Sequence, residues 1–199
     1  MTPRRTATSN RTTKETAISL ALDLDGTTGV VRVSTGLPFF DHMLDQIGRH
    51  GGFDLTVDAT GDLEVDGHHT VEDVGIALGE AFKTALGDKA GIRRFASGLY
   101  PLDEALIEVA VDLSGRPFTA YDVPFGEVLP LGDPPFNPEM AEHFWQSFAT
   151  SAGITLHVTR RAGTNTHHVV EATFKGVARC LRDAVRVEGT GVPSTKGTL

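Results

Sequence analysis

From Thr16 the chain alternates: Ile18, Leu20, Leu22 and Leu24 are apolar, and the intervening Ser19, Ala21, Asp23 and Asp25 are small or acidic. A period of two is that of a β-strand with one covered face. Gly26 to Gly29 turns the chain, and Val30 to Val33 reads as the next strand. Beyond it, Val74, Ala77, Leu78, Ala81, Phe82 and Ala85 form a stripe at helical spacing, as do Val177, Leu181 and Val185 near the end of the chain. Pro38 and Pro138 suit the first turns of two further helices.

The pattern is written twice. Glu15 to Gly26 aligns without a gap on Glu104 to Gly115. Asp41-His42, Gly52, Phe53, Leu55 and Val57 fall on Glu142-His143, Gly153, Ile154, Leu156 and Val158. His68-His69-Thr70-Val71-Glu72 falls on His167-His168-Val169-Val170-Glu171. Three collinear matches indicate an internal duplication of about 90 residues, with Pro124 to Pro138 inserted in the second copy. Each copy reads strand, turn, strand, helix, strand, helix. Two such units, each a small sheet with helices on one face, bury their helix stripes between the sheets, which gives an α+β class.

Composition narrows the function. Eighteen basic against 26 acidic residues leave a net charge of −8, which argues against nucleic-acid binding. No window approaches the ~18 apolar residues of a membrane span, and no apolar signal region follows Met1. The one cysteine, Cys180, sits among Val177, Leu181, Ala184 and Val185 and reads as a core residue of a protein from a reducing compartment, hence cytoplasmic. Residues 1–10 are rich in Ser, Thr and Arg with almost no apolar residue, which predicts a disordered, solvated arm.

Six of the eight histidines occupy duplicated positions: His42 with His143, His68 with His167, His69 with His168. Core packing has no need of such a set. Residues at i and i+4 share a helix face, so His68 with Glu72, or His167 with Glu171, can grip one ion. The adjacent His69 and His168 project about 100° away and serve something else. Dividing six imidazoles and two carboxylates between two ions gives three imidazoles and one carboxylate each, an unfilled octahedral set. His50 and His157 have no duplicate and read as ordinary structural residues.

Leu22-Asp-Leu-Asp-Gly-Thr27 resembles the DxDGT signature of aspartate-nucleophile phosphatases. Its strand alternates instead of running continuously apolar, and the second copy carries Ser114 in place of the second Asp. The motif therefore reads as a strand-ending turn.

The runs Pro38 to Ile47, Asp66 to Asp73, Pro101 to Leu106, Asp112 to Pro117, His143 to Ser147 and His167 to Lys175 closely resemble the imidazoleglycerol-phosphate dehydratase family of histidine biosynthesis, from about Arg11 to the Pro193-Ser-Thr-Lys-Gly197 tail. The resemblance implies two half-domains, each a four-stranded mixed sheet with helices on one face, two Mn(II) ions per subunit, and a 24-subunit particle built from trimers. Carried over residue by residue, it places metal ligands on His42, His68, His69, Glu72, His143, His167, His168 and Glu171, and a catalytic acid/base on Glu15. It places phosphate binding on Gln46, Arg94, Arg116, Lys175, Ser194 and Lys196. The implied organisation is the arm 1–10, half-repeats 11–95 and 96–188, and a Gly-rich tail 189–199 that contributes to the site. The implied reaction is dehydration of imidazole glycerol phosphate to imidazole acetol phosphate by way of a metal-bound imidazolate. A two-metal phosphohydrolase and a non-catalytic, metal-stapled assembly protein are the competing readings of the same ligand set.

Overall fold

A computed structural model describes residues 4–126, 129–197 and 199. The first half contains β1 (Thr6–Thr12), β2 (Thr16–Asp23), β3 (Val31–Ser34), α1 (Pro38–Gly51), β4 (Asp54–Gly61) and α2 (His68–Leu86). The second repeats it as β5 (Phe95–Leu102), β6 (Ala105–Asp112), β7 (Phe118–Asp122), α3 (Met140–Ala152), β8 (Thr155–Ala162) and α4 (Thr166–Ala184). The sheets are four-stranded and mixed, in the orders β1-β2-β4-β3 and β5-β6-β8-β7, with only the β3–β4 and β7–β8 pairs parallel.

One strand in each half was hidden. Thr6 to Thr12 is not a solvated arm: it pairs antiparallel with β2 from Thr6 opposite Asp23 to Thr12 opposite Ala17. Residues 1–3 of the expected arm lie outside the described residues. An edge strand needs little apolar content, because its ladder holds it and one face stays wet. Here only Ala7 is buried, and the β-branched threonines favour the extended backbone.

The alternating residues of β2 behave as their period requires. Ile18, Leu20 and Leu22 are buried and lie opposite Ala59, Val57 and Leu55 of β4. The helices fill the space between the two sheets, α1 against α4 and α2 against α3, around the fully buried Phe40, Phe82, Phe144, Trp145, Phe148 and Phe174. Two glycines set the α2–α3 distance: a Cβ on Gly75 would lie 2.9 Å from the Phe144 carbonyl oxygen, and one on Gly79 2.6 Å from that of Phe148. In an isolated helix Gly→Ala gains about 1 kcal/mol. Here the backbone of α3 cannot yield, so Gly79→Ala is expected to cost about 1–3 kcal/mol through overpacking, read as a lower urea midpoint. An unchanged or raised midpoint would show that α2 and α3 can separate freely. Cys180 is the core residue expected; burial pushes its thiol up to about 11, and it contacts the Tyr100 hydroxyl at 3.1 Å.

Candidate active site

The helix pairing brings duplicated histidines together across the halves, not within them. His42 on α1 meets His167 and Glu171 on α4: Glu171 Oε2 lies 2.9 Å from His167 Nε2 and 3.4 Å from His42 Nε2. One turn of helix separates His167 from Glu171, as i and i+4 require. Adjacent donors in an octahedral shell with bonds near 2.1 Å stand about 3 Å apart, so this cluster matches a shared ion. Burial raises the cost of a charged Glu171, but hydrogen bonds from Lys175 and His167 outweigh it and hold the carboxyl below its ordinary pKa. The deprotonated form is the one that ligates.

The pseudo-equivalent pair is His143 on α3 with His68 on α2, whose rings lie 4.8 Å apart. Glu72, one turn along α2 from His68, is exposed. Each histidine pair thus draws one imidazole from either half, and the first pair also holds Glu171.

His69 and His168 are aimed elsewhere. His69 Nδ1 lies 3.0 Å from Asp62, and His168 Nδ1 lies 2.8 Å from Glu104. Both imidazoles are raised in pKa, by hydrogen bonds to Asp62 and to Glu104 respectively. Glu104 in turn is pushed down to about 2 by its bond to His168 and by the backbone N–H groups of Asn165 and Thr164. A carboxylate on Nδ1 fixes the tautomer and leaves the Nε2 lone pair as the ligating position; that of His168 lies 3.7 Å from Asp103. Asp62 and Glu104 therefore belong to the site although nothing in the sequence pattern marked Asp62.

The proposed acid/base Glu15 stands on the β1–β2 turn, half exposed, with its carboxylate 3.9 Å from His69 Nδ1. Its duplicate Glu104 is consumed by three hydrogen bonds; the carboxylate of Glu15 makes none among the described residues.

The six anion-binding candidates divide into two groups. Arg94, Arg116, Ser194 and Lys196 line one polar cavity of about 550 Å³, together with Pro193 and Thr195. Arg94 is fixed there by both carboxylate oxygens of Asp112 and by the Pro193 carbonyl, so the tail is held against the second half. The duplicate place in the first half carries Thr27 where Arg116 stands, and the hollow there is lined by Asp23 and Asp54 beside Arg4, a poorer setting for an anion. Gln46 and Lys175 lie elsewhere: Gln46 is buried and its amide donates to the His42 carbonyl, while Lys175 donates to Glu171 at 2.7 Å. Both line the metal-ligand cluster. Of the unduplicated histidines, His50 has its pKa lowered by burial and by the nearby Lys175 and Arg179, and His157 packs on Phe118. Neither joins a cluster.

The cavity and the cluster stand at opposite ends of the molecule. The Arg94 N–H donates to the carbonyl of Ala184 at the last turn of α4, whereas His167 opens that helix; 17 residues of helix span ~25 Å. Strand β6 gives the same answer, with Asp112 holding Arg94 at one end and Glu104, just before its other end, holding His168.

Fold and site together define a duplicated α+β protein whose halves share imidazole–carboxylate clusters fit for metal ions, with a separate anion cavity. The imidazoleglycerol-phosphate dehydratase family profile matches residues 35–181. The chain is 58% identical to the dehydratase of that name from Acidothermus cellulolyticus over 98% of this chain and 93% of that one, and 54% identical to that from Methanopyrus kandleri over 98% and 96%. Its fold is similar to the crystal structure of the Staphylococcus aureus enzyme, with TM-score 0.81 and 31% identity over 92% of this chain and 99% of that one. It is also similar to that of the Pyrococcus furiosus enzyme, with TM-score 0.79 and 36% identity over 96% and 100%. The chain belongs to the imidazoleglycerol-phosphate dehydratase family and is a hydro-lyase. That membership decides against the phosphohydrolase and the non-catalytic readings.

Proposed function

We propose that this chain dehydrates imidazole glycerol phosphate to imidazole acetol phosphate in L-histidine biosynthesis, in a site shared between copies of the chain. The observation that carries the proposal is the convergence of His42, His167 and Glu171 from two halves on one point. These three residues would hold one ion, and His68, His143 and Glu72 would hold a second. His69 and His168, held at Nδ1 by Asp62 and Glu104, would complete the clusters of neighbouring copies through Nε2. A divalent ion of the Mn(II) type bound there would supply Lewis acidity toward the imidazole ring of the substrate, easing loss of its N–H.

The chain's own groups do the rest. Arg94, Arg116, Ser194 and Lys196 bind the phosphate with cationic and hydroxyl donors and fix the distance to the ring. Glu15 moves the C2 proton, for which its free carboxylate suits it. The C2 proton and the C3 hydroxyl depart as water, and the enol so formed relaxes to the ketone. Lys175, bonded to Glu171, and Gln46, bonded to His42, steady the ligands.

Sharing between copies follows from length. The substrate spans under about 10 Å, so it cannot bridge ~25 Å between the cluster and the cavity of one chain. The outer face of the second sheet supports self-association: Phe95, Leu99 and Phe118 are exposed there, where the duplicate places of the first half hold Thr6, Asn10 and Val30. The particle we propose is the 24-subunit assembly of trimers. No helix among the described residues is long and apolar enough to cross a membrane, and a cytoplasmic setting accords with the reduced, buried Cys180.

Because binding energy at shared ligands is assembly energy, a chelator at neutral pH is expected to abolish turnover and to reduce the particle to smaller units. Mn(II) should restore both, monitored by product formation and sedimentation velocity. No turnover with any divalent ion would refute the functional proposal. A particle of full size after verified metal loss would refute metal-dependent assembly.

A further inference from the structure

Asp73 is buried one residue after Glu72, and the proposed reaction gives it no task. It lies one helical turn from His69, on the same face of α2. From there it reaches the β1–β2 hairpin: its Oδ1 accepts from Arg11 at 2.9 Å, and its Oδ2 accepts from the Thr16 hydroxyl at 2.5 Å. An ionised carboxylate can only accept, so the direction of the whole chain of hydrogen bonds is fixed. Thr16 donates to Asp73, Thr13 donates to Thr16 across 3.2 Å, and the Thr13 oxygen accepts the backbone N–H groups of Glu15 and Thr16 at 3.1 and 3.0 Å. Every proton in this run has one place, and it ends on the peptide of Glu15.

The duplication supplies a control within the molecule. In the register that sets Glu15 on Glu104 and His68 on His167, Thr13 becomes Leu102, Thr16 becomes Ala105, Arg11 becomes Tyr100 and Asp73 becomes Ala172. The network is absent from the half whose glutamate is tied down by its own side chain. It is present in the half whose glutamate carboxylate is free. Hydrogen bonds to a carboxylate lower its pKa and hence its basicity, so a base positioned through its backbone keeps its proton affinity.

We infer that Asp73 is a positioning residue: through Thr16 and Thr13 it clamps the hairpin tip to α2, so that the carboxylate of Glu15 is presented beside His69 at a fixed distance. This rests on the assignment of Glu15 as the group that moves the C2 proton.

Thr16→Val removes the one hydroxyl in the middle of the run and keeps its shape, and Thr16→Ser restores it. In the reconstituted, Mn(II)-loaded particle, Thr16→Val is expected to lower kcat by about 10- to 100-fold with KM, metal content and particle size unchanged. The primary isotope effect on kcat for substrate deuterated at C2 should rise, since only the proton transfer is slowed. Thr16→Ser should recover most of kcat, and Asp73→Asn should reproduce the Thr16→Val phenotype. Near-normal kcat in Thr16→Val, loss of metal along with kcat, or failure of Thr16→Ser to rescue would each overturn the inference while leaving Glu15 as the base if Glu15→Gln is inactive. Near-normal kcat in Glu15→Gln would instead overturn the underlying assignment and the inference with it.

Discussion

His42→Ala and Arg116→Ala are each expected to abolish turnover, and the two dead proteins, stripped of metal, mixed and reassembled with Mn(II), are expected to regain about a quarter of it on statistical grounds. The reasoning is geometric. His42 belongs to the α1–α4 cluster and Arg116 to the cavity at the far end of α4, and ~25 Å of helix lies between them. A substrate that touches both must take its ions from one copy and its phosphate site from another. In a mixed particle some sites combine an intact cluster from the Arg116→Ala chain with an intact cavity from the His42→Ala chain. Turnover that stays absent after verified mixing would show that one chain supplies both parts, and that the arrangement of the isolated chain changes on assembly.

Glu15→Gln is expected to lower kcat by at least ~10²-fold while bound metal is retained. Glutamine keeps the shape of the side chain and loses the proton-accepting oxygen. The structure makes a ligand role for Glu15 unattractive: its carboxylate is exposed on a turn, 3.9 Å from the Nδ1 side of His69, whose donor face is Nε2. A fall in metal content in Glu15→Gln would nevertheless make it a ligand, and normal kcat would leave the proton-moving group to be found elsewhere. The matching change Glu104→Gln should act differently. Glu104 holds His168 and the start of α4 through three hydrogen bonds, so its loss is expected to weaken metal retention before it affects proton transfer.

The two halves, built on one plan, have divided the work. Both give residues to the proposed metal sites. Among the described residues, the first keeps a free glutamate beside an outward histidine, and the second keeps a cationic cavity in which Arg116 stands where the first half has Thr27. The exposed phenylalanines of the second sheet are a third asymmetry: Phe95 follows Arg94, whose guanidinium lies 4.4 Å over its ring, and Phe118 stands two residues past Arg116 in the sequence.

Sequence by itself determined the duplication, the α+β class and the repeated imidazole–carboxylate set. Periodicities of two and 3.6 are local, and repeated histidines need no fold to be counted, so Ile18 to Leu24, the α2 stripe and the six paired imidazoles were all legible. Strand β1 was not, because an edge strand is held by backbone pairing, which leaves no apolar signature. Nor was the choice of partners. Spacing shows that His167 and Glu171 share a face, but only the packing of α1 on α4 brings His42 of the other half to them. Tertiary structure alone set Asp62 behind His69, tied Asp73 to the hairpin of Glu15, and put the cavity of Arg94 and Arg116 a helix length from the cluster of His42, His167 and Glu171. Those contacts join residues distant in sequence, and side-chain chemistry fixes what a group can do without fixing which group the fold will bring beside it.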